Sequence, residues 1–344
     1  MNLRYLNLRN CRHLLPAGSA ISQALPAFDD FLDSVNTSSD ERGLISKLLA
    51  KNQSSSGGLE GRLFHYDADV GLEYDQTTAR LSFQFKPYYR HPELQRKRKD
   101  QRVVAQFWTT YLDGTRWGYK VPLQALLKHW GDARDGYMCY IHTIEVDDGS
   151  LSYAGITKRN WLTRLAEHLA EMNRDSKKLF HAEWRRSLGL SQVSYGSELL
   201  DFNLSEEQAF SWEEWFVDEF TLHPKGLNMI PGGKKGLQYL YRLRLIGSTN
   251  ISPDARDRAL EAYARKNPSD IRSYQYLEDL WRDDVFYWRI IDARANTLSV
   301  TQIREARYLA ANGHDVSSIT LKVGALNEIQ IKNLLTGRTY SRVE

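Results

Sequence analysis

Only two cysteines, Cys11 and Cys139, occur among the 344 residues. Two thiols build neither a disulfide framework nor a four-cysteine zinc site, and so little sulfur points to a cytoplasmic protein. Apolar runs of the roughly 20 residues that a bilayer helix requires are missing, which excludes a helical membrane span and a membrane partner. The opening stretch, MNLRYLNLRNCRHLL, is interrupted by arginines every few residues and lacks the apolar segment and small-residue cleavage site of a secretory signal. Charge of one sign is also scarce. The 46 Lys/Arg against 43 Asp/Glu leave a formal net charge of +3, so a nucleic-acid partner has to be argued from local clusters. Internal repeats are absent, and low complexity is confined to one Gly/Ser-rich segment, NQSSSGGLEG, at 52–61.

What is present supports buried cores. The chain is 42% hydrophobic and 12% aromatic, and its length suggests about two domains of roughly 150 residues each. Phe28, Phe31, Leu32 and Val35 recur at helical spacing, as do Leu44, Ile45, Leu48 and Leu49. The segment 52–61 reads as a linker or long loop. Beyond it, LSFQF at 81–85 and VVAQFWTTYL at 103–112 read as strands, with a hairpin turn at Asp113-Gly114. The basic run at 90–102 reads either as a solvated loop or as a phosphate-contacting patch. Residues 1–135 form an N-terminal mixed α/β region with no motif that assigns a function.

From residue 137 the pattern sharpens. YMCYIHTIEV alternates as a strand, DDGS turns, and LSYAGI returns as a second strand. Side chains two apart share a strand face, so Tyr140 points with His142 and Tyr153 with Gly155. A glycine beside an aromatic hydroxyl leaves room for a ligand backbone. A helix follows with Trp161, Leu165 and Leu169 on one face. Arg164 and His168, four apart, stack along the edge of that stripe; alone they also suit a snorkelling arginine and an ordinary surface histidine. On the next helix Glu213 shares the apolar face of Ala209, Phe210, Phe216 and Val217, whereas Glu214 turns to solvent with Asp218. A carboxylate on an apolar face is costly unless it meets a cation or a metal; the alternative is a Glu at the stripe's edge, bending to water. An ordered Gly/Pro-rich loop, KGLNMIPGGKKG, spans 225–236.

In this order and spacing, Tyr140, Tyr153-Ala154-Gly155, Arg164 with His168, Glu213 and Gly226-Leu227-Asn228 resemble the GIY-YIG nuclease domain. The resemblance covers 137–235. It departs from the family in Met138-Cys139-Tyr140, which stands for Gly-Ile-Tyr, and in Ala154, where isoleucine is usual. The resemblance implies a phosphodiester-cutting site with Tyr140, Tyr153, Arg164, His168, Glu213 and Asn228 as its residues. Tyr140 would sit near the attacking water as base or relay, with Tyr153 close by. A tyrosine needs about 4 kcal/mol to ionise at neutral pH, so Arg164, the metal or a relay to His168 would have to offset that. Arg164 would offer its planar fork to a non-bridging oxygen. Glu213, the one evident inward carboxylate, implies a single metal, and oxygen ligation suits Mg2+ or Mn2+. Asn228 would be structural, holding the glutamate's helix and the site loop together. Lys158 and Arg159 read either as phosphate contacts or as solvated charges.

Residues 236–296 read as a helical connector rich in core aromatics. The last segment, 297–344, reads as helix 301–311, helix 316–323, a turn at Gly324-Ala325 and helix 327–335, a helix-turn-helix pattern. It resembles the small modules appended to resolvases and homing-type nucleases. Its third helix would enter the major groove, with Asn327, Gln330 and Asn333 reading base edges and Lys332, Arg338 and Arg342 on phosphates. A three-helix docking module is the alternative.

The expected fold class is therefore α+β: an N-terminal region at 1–135, a small nuclease-like domain at 136–235 with a short antiparallel sheet and flanking helices, the connector, and an all-α C-terminal part. The expected function is a metal-dependent endonuclease acting on double-stranded DNA, with a transient homodimer where both strands are cut. The alternatives are a regulator that binds DNA without cutting it, or an adaptor.

Overall fold

The computed structural model describes residues 3–16, 20–38, 42–50, 68–87, 103–128, 133, 136–146, 149–190, 193–251, 253–266, 279, 281–293 and 296–343. The 52–61 segment and the basic run at 90–102 lie outside them. Two compact units form, Met1–Ile271 and Arg272–Glu344.

The first unit opens with helices α1 (Leu8–Leu14), α2 (Ala20–Gln23), α3 (Leu25–Thr37) and α4 (Leu44–Ala50). Phe28, Leu32 and Val35 bury one face of α3, as their spacing predicts. The same face buries Asp29, whose carboxylate accepts the backbone N–H groups of Arg4, Tyr5 and Leu6 and so has its polar demand met. Next come strands β1 (Ala68–Asp75), β2 (Arg80–Pro87), β3 (Val103–Thr110) and β4 (Arg116–Pro122), then the short α5 (Leu123–Leu126). The β3–β4 hairpin turns where Asp113-Gly114 predicts it, with Gly114 at φ +83°. Phe28 packs edge-on to Phe107 of β3, ring centres 5.2 Å apart, and joins α3 to the sheet.

Strands β5 (Tyr137–Val146) and β6 (Gly149–Thr157) form the predicted hairpin. Helices α6 (Trp161–Asn173) and α7 (Leu179–Ser187), strand β7 (Ser194–Leu204) and helix α8 (Glu206–Phe216) follow, the last running into a π-turn at Val217–Thr221. Helices α9 (Gly233–Arg242) and α10 (Pro253–Lys266) complete the unit. Among the described residues, seven strands make one mixed sheet in the order β2-β1-β3-β4-β7-β5-β6. The antiparallel trio β7-β5-β6 is thus one end of a larger sheet and not a short sheet standing alone. The join is a parallel pairing of β4 with β7, Arg116↔Ser194 to Lys120↔Glu198, so strands on either side of residue 135 share one hydrogen-bonded layer.

The trio is covered on both faces. Ile144 belongs to a core with Leu165 of α6, Phe180 and Trp184 of α7 and Tyr195 of β7. Cys139, an odd-numbered neighbour on β5 that points the other way, packs with Ala154 and with Ala209, Trp212 and Phe216 of α8. Residues 236–266, expected as a connector, pack within this unit; Tyr239 of α9 and Tyr263 of α10 are buried with their hydroxyls 3.2 Å apart.

The second unit contains α11 (Asp284–Ala293), α12 (Val300–Ala311), α13 (Val316–Val323) and α14 (Glu328–Leu335). Ile291, Leu298, Ile303, Ala306, Ile319, Val323, Ile331 and Leu334 form its core. Ser299 and Gln302 make a reciprocal capping box at the start of α12, and Gly324 at φ +68° ends α13. No helix among the described residues is long and apolar enough to cross a membrane.

Candidate functional site

On β5, Tyr140 and His142 share a buried face, their ring centres 4.6 Å apart. Across the hairpin Tyr140 pairs with Gly155 and His142 with Tyr153. A Cβ added to Gly155 would lie 2.6 Å from the Tyr140 hydroxyl oxygen. The space expected to admit a ligand backbone is therefore filled by the Tyr140 ring itself. His142 meets Ser197 Oγ through Nδ1 at 2.9 Å, and its Nε2 is buried without a hydrogen-bond partner.

Asn160 starts α6, its side chain accepting the Leu162 and Thr163 N–H groups. Trp161 and Leu165 turn into the core. Arg164 and His168 turn inward as well, 6% and 1% exposed, so both lie deeper than the stripe edge expected for them. Tyr140, His168, His181, Ser176 and Glu261 then form a hydrogen-bonded chain with successive contacts of 3.3, 2.9, 2.7 and 2.6 Å. The Glu261 carboxylate only accepts, so Ser176 donates to it. Ser176 in turn accepts from His181 Nδ1–H, His181 Nε2 accepts from His168 Nδ1–H, and His168 Nε2 receives the Tyr140 hydroxyl. Burial, reinforced by the Arg164 charge, lowers His142 to about 3 and puts His168 well below its ordinary range. Burial and Lys178 bring His181 to about 3. All three imidazoles are neutral near pH 7. Burial also raises the Tyr140 and Tyr153 hydroxyls above the usual value, with Arg164 opposing in part.

Glu213 points inward, 3% exposed, as the apolar pattern of α8 requires. Its cation is a guanidinium. Arg256 of α10 donates Nη1 to Oε2 at 2.9 Å and Nη2 to Oε1 at 3.0 Å, and the Gly233 N–H donates to Oε2 at 2.9 Å. Gly232 lets the loop come this close, since a Cβ there would lie 2.2 Å from the Glu213 carbonyl oxygen. Arg164 is matched too: Nη1 reaches Glu167 at 3.0 Å and Glu171 at 3.2 Å, and Nη2 reaches Asp257 at 3.0 Å. Burial opposes the Arg164 charge, but Tyr140, Asp257, Tyr153 and Glu171 hold its pKa above the usual arginine value. Arg256 and Asp257, consecutive on α10, reach Glu213 and Arg164 respectively, so the guanidinium and the acid converge although their helices cover opposite faces of the sheet.

Asn228 works as a strand edge. Its Oδ1 accepts Ala154 N–H and its Nδ2 donates to Ala154 C=O, both at 2.9 Å. Leu227 N–H adds a bond to Ser152 C=O at 2.8 Å. The side chain thus ties the loop to β6, the edge strand, while the Asn228 main-chain N–H donates to Thr221 C=O at 2.8 Å, in the turn that continues the glutamate's helix, so the residue joins that helix to the loop as expected and adds the tie to β6.

The structure brings Tyr140, Tyr153, Arg164, His168, Glu213 and the Asn228 loop together. A cavity of about 30 Å3 is lined by Tyr153, His168, His181, Asn228 and Arg256, among others. Glu213 offers a cation two oxygens, and a cationic group already lies against them. Nearby, one ligand atom each from His168, Glu171 and His181 lie within 4.8 Å of one another. That set is richer in imidazole than Mg2+ prefers, and the Glu171 oxygens are engaged by Arg164 and Lys178.

Lys158 and Arg159 are exposed at the end of β6, and Arg159 pairs with Glu167 at 2.6 Å. In the second unit, Asn327 caps α14 by accepting the Gln330 N–H. Gln330 bonds Leu326 N–H and Asn296 C=O, so both amides hold the turn. Lys332 and Arg338 are exposed and Asn333 partly so; Lys332 pairs with Glu328 at 3.3 Å. Arg342 stacks on Tyr287 and donates to Trp281, Arg282 and Asp284, a packing role in place of the phosphate contact expected.

Sequence reasoning missed Arg256, Asp257, His181 and Ser176. The demand for a cation at Glu213 was legible, but its supplier lies 43 residues downstream in a helix whose charges read as an ordinary polar face. Comparison with protein-family models, curated protein sequences and solved structures returned no match.

Proposed function

We propose that the chain is a metal-dependent DNA endonuclease whose cutting site is built from Tyr140, Tyr153, Arg164, His168 and Glu213. The observation that carries this reading is the convergence of a buried Tyr–His pair, an arginine and an inward carboxylate around one edge strand. Those are the group types that hydrolysis of a phosphodiester uses. Arg164 would bind a non-bridging oxygen through its planar fork and counter developing charge. Glu213 would hold Mg2+ or Mn2+, which when bound supplies charge stabilisation at the phosphate. Tyr140 would take a proton from the attacking water as its own passes to His168 Nε2, the neutral acceptor already facing it. Asn228 keeps the loop on β6 and so fixes the site wall. The exposed Lys332 and Arg338 and the helical pattern of the second unit support delivery to DNA. One site per chain cuts one strand, so nicking, or pairing of two chains, is the expected product pattern.

The test is nicking of supercoiled plasmid with Mg2+. The wild type is expected to nick, and Glu213→Gln and Arg164→Ala to lose about 10²-fold or more of the rate. Activity retained by either variant, or in the presence of a chelator, contradicts the assignment. A second reading is favoured by the saturation of Glu213 with Arg256 and Gly233: the fold binds DNA without cutting it. No nicking by the wild type or by any variant that opens the site would support that reading.

A further inference from the structure

Two consecutive residues of α10 take up the two charged groups that phosphodiester chemistry would need. Arg256 sets a cation against Glu213 through two parallel hydrogen bonds of 2.9 and 3.0 Å. Asp257 sets both carboxylate oxygens within 3.0–3.1 Å of Arg164 Nη2. A carboxylate offers an arginine the same pair of anionic oxygens that a phosphate does. Consecutive helical side chains diverge by about 100°, so one turn of α10 sends Arg256 to Glu213 of α8 and Asp257 to Arg164 of α6. The side chains of Glu213 and Arg164 are left 4% and 7% exposed. No nucleic-acid backbone reaches either while α10 is in place.

The rest of the helix is fastened to the same surroundings. Glu261 accepts Ser176 Oγ at 2.6 Å and Lys177 N–H at 3.2 Å, Lys178 Nζ lies 4.0 Å from Asp257, and Ala259, Tyr263 and Ala264 are its buried apolar residues. Most of the named attachments are charged or hydrogen-bonded, the kind that an incoming phosphate and cation can exchange for their own.

We infer that α10 is an internal mimic of substrate, with Arg256 in the place of the cation and Asp257 in the place of the scissile phosphate, and that the described conformation is a self-inhibited resting form. What is displaced rests on the nuclease reading above; the covering of Glu213 and Arg164 rests on the geometry alone. Opening is driven by binding: a duplex that brings phosphate and divalent cation together replaces both stand-ins at once, whereas either alone competes with half of the pair.

The test uses the full chain and Mn2+ as probe. If the open form is a tenth or less of the population, covering weakens apparent affinity about tenfold or more. Calorimetry is expected to show Mn2+ binding at least about tenfold tighter in Arg256→Gln than in wild type, with the gain lost in Arg256→Gln/Glu213→Gln. Unchanged Mn2+ affinity in folded Arg256→Gln overturns the proposal. Because that variant leaves Glu213 without its cation and risks misfolding, Asp257→Asn is measured alongside it. There the Glu213 pair is intact, and amide exchange across 253–266 is expected to rise about tenfold; unchanged exchange overturns the proposal. Arg258→Gln, an exposed position on the same helix, is expected to match wild type in both. Nicking separates the two readings. A gain in Mn2+ binding without nicking in any variant keeps the cover and refutes the nuclease. Nicking by wild type at a rate unaltered in both variants keeps the nuclease and refutes the cover.

Discussion

His142, His168 and His181 are buried, and His142 and His181 fold with pKa values of about 3, against about 6.5 in an unfolded chain. Between those values the unfolded state binds more protons, so acid favours it. Stability from these residues is complete above pH 6.5 and is lost progressively as pH falls toward 3, by about 1.4 kcal/mol per pH unit for each histidine. His142→Phe removes one titrating group and is expected to flatten the fall of Tm across that window; an unchanged slope in thermal melts contradicts it. Gly155→Ala is a second residue-scale case. Its Cβ would strike the Tyr140 hydroxyl, and the ring would have to leave His168, at a loss of about 1–3 kcal/mol measurable by chemical denaturation. The sequence marks Glu213 as buried because a 3.6-residue period suffices to show its neighbours. It does not reveal that Arg256 answers it, since no local period links α8 to α10.

Among the elements, the loop at Leu227-Asn228 stands in for an eighth strand. Its main chain and one side-chain amide satisfy three backbone groups of β6, the outermost strand. Asn228→Ala strands the N–H and C=O of Ala154 and is expected to destabilise by about 2–4 kcal/mol. Asn228→Asp can still accept but no longer donate. In both variants amide exchange at Ala154 should accelerate before the chain as a whole unfolds; protection equal to wild type contradicts the assigned role. Elements with local signals were legible. α3 shows its apolar stripe and β5–β6 its alternation; α12 was expected from residue 301, one residue late, because the Ser299–Gln302 box that caps it went unread. The strand-edge role of Asn228 was not legible, because an amide that imitates a peptide looks like any other loop asparagine until the strand beside it is known.

At the scale of the molecule, the sheet crosses the boundary that motif order draws at residue 135. A domain edge inferred from a motif marks where its pattern begins, not where hydrogen bonding stops, and the parallel contact of β4 with β7 joins strands too far apart in sequence for periodicity to pair them. Residues 272–344 have their own core. Expressed alone they are expected to be helical and to melt cooperatively; a featureless circular-dichroism spectrum contradicts this. Residues 136–271 should behave in the opposite way. Without β4, β7 presents an unpaired edge from Ser194 to Glu198, an open template for another chain. Such a fragment is expected to elute as aggregate where 1–271 elutes as a discrete species.

That seam limits how this protein can be rebuilt. The Tyr140–Glu213 site cannot be lifted out as a cassette, because β7, which pairs with β5, also pairs with β4 and so continues a ladder begun near residue 68. A chimaera that carries Tyr140 and Glu213 to a new host must either bring the rungs before them or find, in the host, a strand of matching direction to close the gap.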